Sequence, residues 1–111
     1  LSPPLVLFSL GNNSSSIKIY SNTKFLTINI LSKKQKNISD YFSKNDSTSK
    51  DINFNEGKNN TSFISGCVAN LECKLIDKIK KGDHIIFICK VIDFKQSDKL
   101  KPLFYYNSKY H

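Results

Sequence analysis

Apolar residues in the first third of the chain occur in short runs that are typical of β-strands. Leu5–Leu10 is an almost continuous apolar run between Pro4 and Gly11, and it predicts a strand buried on both faces. Phe25–Leu31 is rich in aromatic and β-branched residues and predicts a second strand. The polar Asn29 lies inside this strand, where an amide left without a hydrogen-bond partner would cost roughly 1–3 kcal/mol.

The second half of the chain predicts a β-hairpin and one further strand. Apolar and polar residues alternate between residues 69 and 75, the period of a half-buried strand. Gly82 can adopt a positive φ and predicts a tight turn. Ile85–Ile92 predicts the returning strand, apolar on both faces, and Pro102–Tyr106 predicts a last short strand. The sequence therefore predicts five strands, mainly antiparallel.

Two short helical segments are predicted between the strands. Gly11–Ser16 consists of small or turn-favouring residues and leads into a short helix or turn at Ile17–Tyr20. Ser32 and Gln35 have the spacing of a capping box, which predicts a helix from Lys33 to Phe42.

The remaining stretch, residues 43–62, is dominated by Asn, Ser, Asp, Lys and Thr and predicts a long polar loop insert. With 111 residues, the chain has the size of one small domain, so we expect a single domain rather than a multidomain enzyme. We therefore expect a mainly β domain over residues 1–111, a small antiparallel β-barrel with one or two short helices.

The charge balance adds one restriction on function. The chain has 17 basic and 9 acidic residues, a net charge of +8, and every basic residue is Lys. Arg binds phosphate and guanine edges through two parallel hydrogen bonds, whereas Lys acts as a point charge, so sequence-specific nucleic-acid recognition is disfavoured. We interpret the basicity first as compositional drift and second as a binding surface for an anionic partner.

Apolar length and cysteine number exclude other classes. No stretch approaches the roughly 20 apolar residues of a membrane span, and Leu5–Leu10 is too short for a signal peptide, so we expect a cytoplasmic protein without membrane contact. Cys67, Cys73 and Cys89 are odd in number and form no Cys-x-x-Cys pair, so neither a disulfide framework nor a metal site is predicted. We expect buried thiols.

Several segments together resemble the flavin reductase-like family, whose fold is the FMN-binding split barrel. Their order and spacing over nearly the whole chain carry the resemblance, and residues 43–62 match least. The segments are Pro3–Leu10, Phe25–Leu31 followed by Gln35 and Phe42, Leu71–Lys74, Gly82–Val91, Pro102–Tyr106 and Lys109–His111.

The resemblance implies a homodimer that holds FMN or FAD, takes a hydride from NADH or NADPH, and supplies reduced flavin to a partner monooxygenase. Such hydride transfer is the cofactors' own chemistry and requires no acid–base triad. Family members carry further strands and a phosphate-binding segment before the Pro-Pro strand. We therefore expect the domain to be incomplete at its N-terminus.

The resemblance also implies site residues. Asn12, Ser14, Ser15 and Ser16 match the polar loop beside the flavin tail, with an ordinary Ser-capped turn as the alternative. His84 matches a nicotinamide-side histidine in a Gly-Asp-His block, with a structural histidine of the turn as the alternative, and Asp83 is expected to serve the turn.

Asn29 matches a position beside the flavin, although bonding to neighbouring backbone explains an amide there equally well. Tyr106, with Tyr105, Lys109 and Tyr110, matches the segment that closes the site near the dimer partner, with burial in the core as the alternative. Glu72 is expected to be an exposed pairing residue.

Two other functions stay open from the residues. One is a non-catalytic flavin-binding remnant of the same family. The other is a basic β-barrel interaction module that holds single-stranded nucleic acid on Tyr and Phe side chains, although the absence of Arg disfavours nucleic acid as a partner.

Overall fold

The computed structural model describes residues 2–44 and 52–111 of the chain. Eight strands and two short α-helices are present in these residues. In chain order they are β1 (Leu5–Gly11), α1 (Ile17–Ser21), β2 (Phe25–Ile30), a 3₁₀ turn (Lys33–Gln35), α2 (Lys36–Lys44), β3 (Phe54–Glu56), β4 (Ser62–Ile64), β5 (Ala69–Lys81), β6 (His84–Gln96), β7 (Tyr105–Tyr106) and β8 (Lys109–Tyr110).

The largest sheet has four antiparallel strands in the order β1-β6-β5-β2. The β5–β6 hairpin forms its centre, and its turn contains Gly82 at φ +57°, as predicted. Register shifts between Glu72 and Cys73 and between Leu75 and Asp77 interrupt the pairing of β5 with β6. Such irregularities bend a strand and increase its twist, so the sheet curls into the half-barrel expected from the sequence.

The main core lies on the inner face of this curled sheet. Phe87, Cys73 and Cys89 are fully buried there. Phe8 stacks on Phe87 with ring centroids 5.0 Å apart, and Tyr20 from α1 meets Phe87 edge-on at 6.1 Å. The third cysteine, Cys67, is buried in a second cluster with Ile38 and Ile64, so all three thiols are interior, as predicted.

The expectation that β1 is buried on both faces is wrong. Val6 and Phe8 pack against the core, but Leu5 is 53% and Leu7 68% exposed. β1 is an edge strand of the sheet, and its inward side chains pack in the same cluster as Tyr20 of α1. A continuous apolar run therefore does not require that both faces of its strand are buried.

The capping box at Ser32 is confirmed. The Ser32 N–H donates to Oε1 of Gln35 at 2.9 Å, and Nε2 of this buried Gln35 donates to the Ser65 carbonyl at 2.7 Å. The predicted helix begins as the 3₁₀ turn and continues as α2, two residues past the expected end at Phe42.

The prediction of one long loop over residues 43–62 is wrong for part of this stretch. β3 pairs with β4, with Phe54 opposite Ile64, and the hairpin contacts β2 through a hydrogen bond from the Thr27 hydroxyl to the Ser62 carbonyl. Residues 45–51 of the predicted insert lie outside the described residues.

The structure also differs from the prediction of a strand over Pro102–Tyr106. Only its last two residues form β7, which pairs with β8 across a turn at Asn107 and Ser108, both at positive φ. Pro102 bridges to Ser32 instead. Proline has no backbone N–H and cannot donate a hydrogen bond to a neighbouring strand, which is consistent with the position of Pro102 outside the regular strand.

Candidate functional site at the β5–β6 turn

The pairing of β1 with β6 joins two predicted site segments that are far apart in sequence. Gly11 lies opposite His84, so the loop Asn12–Ser16 begins beside the β5–β6 turn. The Asn12 N–H donates to the Asp83 carbonyl at 2.8 Å. We call this region, consisting of the loop Asn12–Ser16 and the turn Gly82–His84, the turn end of the sheet.

His84 presents a half-exposed imidazole at the turn end. Its Nδ1 lies 2.8 Å from Oδ1 of Asp83, and its Nε2 lies 4.0 Å from the position that a Cβ on Gly11 would occupy. The hydrogen bond to His84, and the charge on its protonated form, hold the pKa of the Asp83 carboxyl below its ordinary value. The ring therefore has one nitrogen engaged and the other directed towards the start of the polar loop.

Ser14 closes the polar loop through its own hydrogen bonds. Its N–H donates to the Gly11 carbonyl at 2.9 Å, its Oγ accepts from the Ser16 N–H at 3.2 Å, and its carbonyl accepts from the Ile17 N–H at 3.2 Å. The side chains of Asn12 and Ser15 are exposed. Of the predicted flavin-tail residues, Asn12 and Ser15 face solvent, while Ser14 and Ser16 shape the turn.

Asn29 lies near the other end of the sheet, where its amide joins three strands. Its Oδ1 accepts from the Ile64 N–H at 3.1 Å and from Nδ2 of Asn70 at 2.7 Å. Nδ2 of Asn70 also donates to the Ile64 carbonyl at 3.1 Å. The amide oxygen is thus occupied by structural partners, which corresponds to the structural alternative left open by the sequence.

Glu72 lies in the same region and is buried, so its interpretation as an exposed pairing residue is wrong. The Thr61 hydroxyl donates to Oε1 of Glu72 at 2.6 Å. Nearby, Nζ of Lys58 pairs with Oδ2 of Asp93 at 2.9 Å, and this interaction lowers the pKa of the Asp93 carboxyl. Strand alternation could not reveal this burial, because the covering β3–β4 hairpin comes from the polar stretch.

A cavity of about 250 Å³ lies between this hairpin and the sheet. Nζ of Lys95 lies 4.2 Å from the centroid of the Phe63 ring at its wall. We call the region formed by Asn29, Glu72, Asp93 and the segment 54–64 the clamp end. None of the predicted site residues at the turn end lines this cavity.

The tyrosines of β7 are exposed, which contradicts the core alternative. Tyr105 is 67% and Tyr106 74% exposed. The hydroxyl of Tyr110 lies 2.8 Å from Oγ of Ser39 in α2, and the Leu103 N–H donates to the Leu31 carbonyl at 2.9 Å. This β7–β8 hairpin therefore lies near the clamp end, whereas His84 lies at the turn end.

Two further features of the described residues concern metal binding and membrane spanning. Over 2–44 and 52–111, His, Cys, Asp and Glu side chains form no group suited to a metal ion. Among the helices in that part of the chain, none is long and apolar enough to cross a membrane.

Comparison with known proteins gives consistent matches. The family model described as "Flavin reductase like domain" matches residues 1–111. The FMN reductase (NADH) SmoA of Agrobacterium fabrum is 30% identical over 83% of the chain and 53% of its own length. The reductase component of the flavin-dependent trigonelline monooxygenase of Acinetobacter baylyi is 29% identical over 99% of the chain and 36% of its own length.

A solved structure, the flavin reductase PheA2 in its native state, is 31% identical and superposes with a TM-score of 0.89 over 98% of the chain and 70% of its own length. The curated relatives are longer than this chain, which spans 36% of the Acinetobacter protein and 53% of the Agrobacterium protein.

Proposed function

Because the chain belongs to the flavin reductase-like family, we propose that it is an NAD(P)H:flavin oxidoreductase that supplies reduced flavin to a monooxygenase. The proposed flavin is FMN or FAD, and the proposed hydride donor is NADH or NADPH. The name of the Agrobacterium relative supports FMN and NADH, and the name of the Acinetobacter relative supports a monooxygenase as the partner. The observation that carries the proposal is the pairing of Gly11 with His84, which joins the polar loop to the histidine.

The turn end offers groups that fit a flavin tail. The exposed side chains of Asn12 and Ser15 supply hydrogen-bonding groups for a ribityl chain and phosphate, and Ser14 and Ser16 hold the loop in shape. Lys18, exposed on α1, and Lys81, opposite His84 on β5, add positive charge. When bound, the flavin accepts a hydride from the nicotinamide, so the protein's task is to bind and orient both rings.

His84 is proposed to contact the nicotinamide. Its Nε2 is directed to the side of Gly11, and an imidazole nitrogen can accept a hydrogen bond from, or donate one to, a carboxamide. Asp83 already binds Nδ1, so Nε2 is the nitrogen left for a ligand.

We propose that the protein acts as a homodimer. Within one chain Tyr106 lies in the β7–β8 hairpin near the clamp end and His84 lies at the turn end, so Tyr106 of the partner subunit is the copy that would close the site. The exposed Leu5 and Leu7 of β1 give an apolar surface for burial between subunits. Analytical ultracentrifugation tests this part, and a monomer at all concentrations that sustain activity would contradict it.

The activity is tested by spectroscopy on the purified protein. We expect FMN to bind with a visible absorbance shift, and NADH added without oxygen to bleach the flavin band in catalytic turnover. His84→Ala should raise the KM for NADH roughly tenfold, about the loss of one hydrogen bond, and leave the Kd for FMN within a factor of two.

Asp98→Ala is the matched control, since Asp98 is exposed and lies beyond the end of β6 that is remote from the turn. Absence of FMN binding and of NADH oxidation would overturn the proposal. Binding of a single-stranded oligonucleotide by such a protein would favour the basic interaction module instead. Equal loss of flavin and NADH affinity in His84→Ala would assign a structural role to His84.

A further inference from the structure

Asp83 connects the two halves of the turn end through two different groups. Its backbone carbonyl accepts from the Asn12 N–H at 2.8 Å and so holds the polar loop. Its carboxylate Oδ1 lies 2.8 Å from Nδ1 of His84 and so holds the ring. Substitution of the side chain leaves the carbonyl in place, so the two contributions can be separated by mutation.

The chemistry of the second contact determines where the imidazole proton lies. An ionised carboxylate only accepts hydrogen bonds, so Nδ1 must be the nitrogen that carries the proton. In a neutral imidazole, Nε2 then has a free lone pair and acts as an acceptor. A carboxamide offers N–H donors, which are complementary to that acceptor.

The direction of the ring is consistent with this use. Nε2 lies on the side of Gly11, at 4.0 Å from where its Cβ would be, and the absence of a side chain at this position keeps the approach to Nε2 open. The imidazole is about half exposed, with 53% of its side-chain surface accessible. A ligand can therefore reach Nε2 while Asp83 occupies Nδ1.

We propose that Asp83 is a positioning residue for nicotinamide recognition, which holds His84 in its Nδ1–H tautomer so that Nε2 accepts an N–H of the carboxamide. This inference rests on the proposed function, and it assigns to Asp83 a task beyond the turn. The Asp83 carboxyl is ionised, and thus an acceptor, at neutral pH, and its hydrogen bond with His84 lowers its pKa further from the ordinary 3.8.

The rival explanation is that Asp83 serves the turn alone. The Asp83 side chain is 93% exposed, so its removal costs no packing, and a turn role would act through the backbone or through the free energy of unfolding. A role in the turn alone predicts an unchanged KM for NADH, whereas the positioning role requires both a changed His84 tautomer and a raised KM in Asp83→Ala. The tautomer can be measured without flavin or NADH.

The test uses ring ¹⁵N chemical shifts of His84 in the purified protein near pH 8, assigned by comparison with His84→Ala because the chain has two histidines. We expect the Nδ1–H form in the native protein and a shift of population to the Nε2–H form in Asp83→Ala. Asp83→Asn should retain the Nδ1–H form, since its amide oxygen can accept the same hydrogen bond.

Steady-state kinetics supply the second readout. Asp83→Ala should raise the KM for NADH roughly threefold to tenfold, the value of one ordinary hydrogen bond, with kcat and the Kd for FMN nearly unchanged. Asp83→Asn should stay within a factor of two of the native KM, and the control Asp98→Ala should match the native protein in both readouts.

Each remaining outcome decides the proposal. An unchanged tautomer in Asp83→Ala overturns it. A raised KM for NADH in an Asp83→Asn protein that retains the Nδ1–H form also overturns it, because charge rather than tautomer would then matter. A changed tautomer with an unchanged KM overturns the link to nicotinamide. If the native protein shows the Nδ1–H form but oxidises no NADH, the proposed function fails while the Asp83–His84 pairing stands.

Discussion

The two ends of the β5–β6 hairpin hold their polar groups in different ways. At the turn end, His84 and Asp83 form a pair in which the His84 side chain is 53% and the Asp83 side chain 93% exposed. At the clamp end, the buried Glu72 carboxylate accepts from Thr61, and the Asn29 amide binds a strand backbone. Both ends contain residues expected to carry function, but His84 of the turn end is half exposed, whereas Glu72 and the Asn29 amide oxygen of the clamp end are engaged by protein groups.

This difference separates residues that can bind a ligand from residues that stabilise the fold. A buried polar group must be satisfied by the protein itself, because leaving it unpaired costs roughly 1–3 kcal/mol. An exposed group has water as its alternative partner and can exchange it for a ligand at little cost. Glu72 and Asn29 of the clamp end are therefore expected to determine stability, and the side chains of the turn end to determine ligand affinity.

The largest expected effect comes from the core beneath the turn end. Phe87→Ala should lower the free energy of unfolding by about 3–5 kcal/mol, since it removes a fully buried ring that stacks on Phe8. Urea denaturation measures this value, and Phe87→Leu should cost clearly less because it leaves a smaller cavity. A loss below 1 kcal/mol for Phe87→Ala would show that the turn end does not depend on this core.

Two asparagines allow the contrast to be tested with one type of substitution. Asn29→Ala should cost about 1–3 kcal/mol, because the Ile64 N–H and the Asn70 amide lose their acceptor, and the Kd for FMN should change little. Asn12→Ala should change stability by less than about 0.5 kcal/mol and weaken FMN binding. Thermal unfolding and FMN titration of both variants give the comparison, and the reverse pattern would place the flavin beside Asn29.

Two glycines distinguish close packing from backbone conformation. In Gly57→Ala the new Cβ would lie 2.5 Å from Oγ1 of Thr61 and 2.8 Å from Oε2 of Glu72, so we expect a cost of about 1–3 kcal/mol. Gly82→Ala meets no atom within 4 Å but requires φ near +57°, a cost of about 1–2 kcal/mol.

Two further substitutions separate close packing from backbone conformation as the cause of the lost stability. Gly82→Asn should recover part of the Gly82→Ala loss, since Asn tolerates this backbone region, whereas Thr61→Ser should not relieve Gly57→Ala because it keeps the hydroxyl. The urea midpoints of Gly57→Ala, Gly82→Ala, Gly82→Asn and the double variant Gly57→Ala/Thr61→Ser measure these effects. A double variant more stable than Gly57→Ala would contradict the contact between the new Cβ and the hydroxyl of residue 61.

The smallest expected effect concerns the exposed pair of Lys58 with Asp93. The pKa of Asp93 is lowered from its ordinary value of 3.8, so the pair contributes stability above that pH and the contribution disappears as the pH falls through the lowered pKa. Lys58→Ala should return the pKa of Asp93 towards 3.8 and leave that of Asp83 unchanged. Carboxyl ¹³C titration by NMR measures both, and equal shifts at both residues would show that the two ends are electrostatically coupled.

Most regular elements were predictable because their signals are local. The apolar runs predicted β1 and β2, Gly82 predicted the central turn, and Ser32 with Gln35 predicted the start of the helix. β3 was missed because its three exposed residues show no apolar pattern. A partner strand, β4, supplies its hydrogen bonds, and this pairing is not visible in either segment alone.

The sequence by itself determined the fold class, the family and the residue types of the turn end, because periodicity, turn chemistry and motif order are properties of neighbouring residues. Only the tertiary structure decided which of these residues meet. The pairing of β1 with β6 placed Gly11 opposite His84, and side-chain hydrogen bonds joined Thr61 to Glu72 and Ile64 to Asn29. Burial and hydrogen-bond partners depend on segments distant in sequence, so accessibility to a ligand is decided at that level alone.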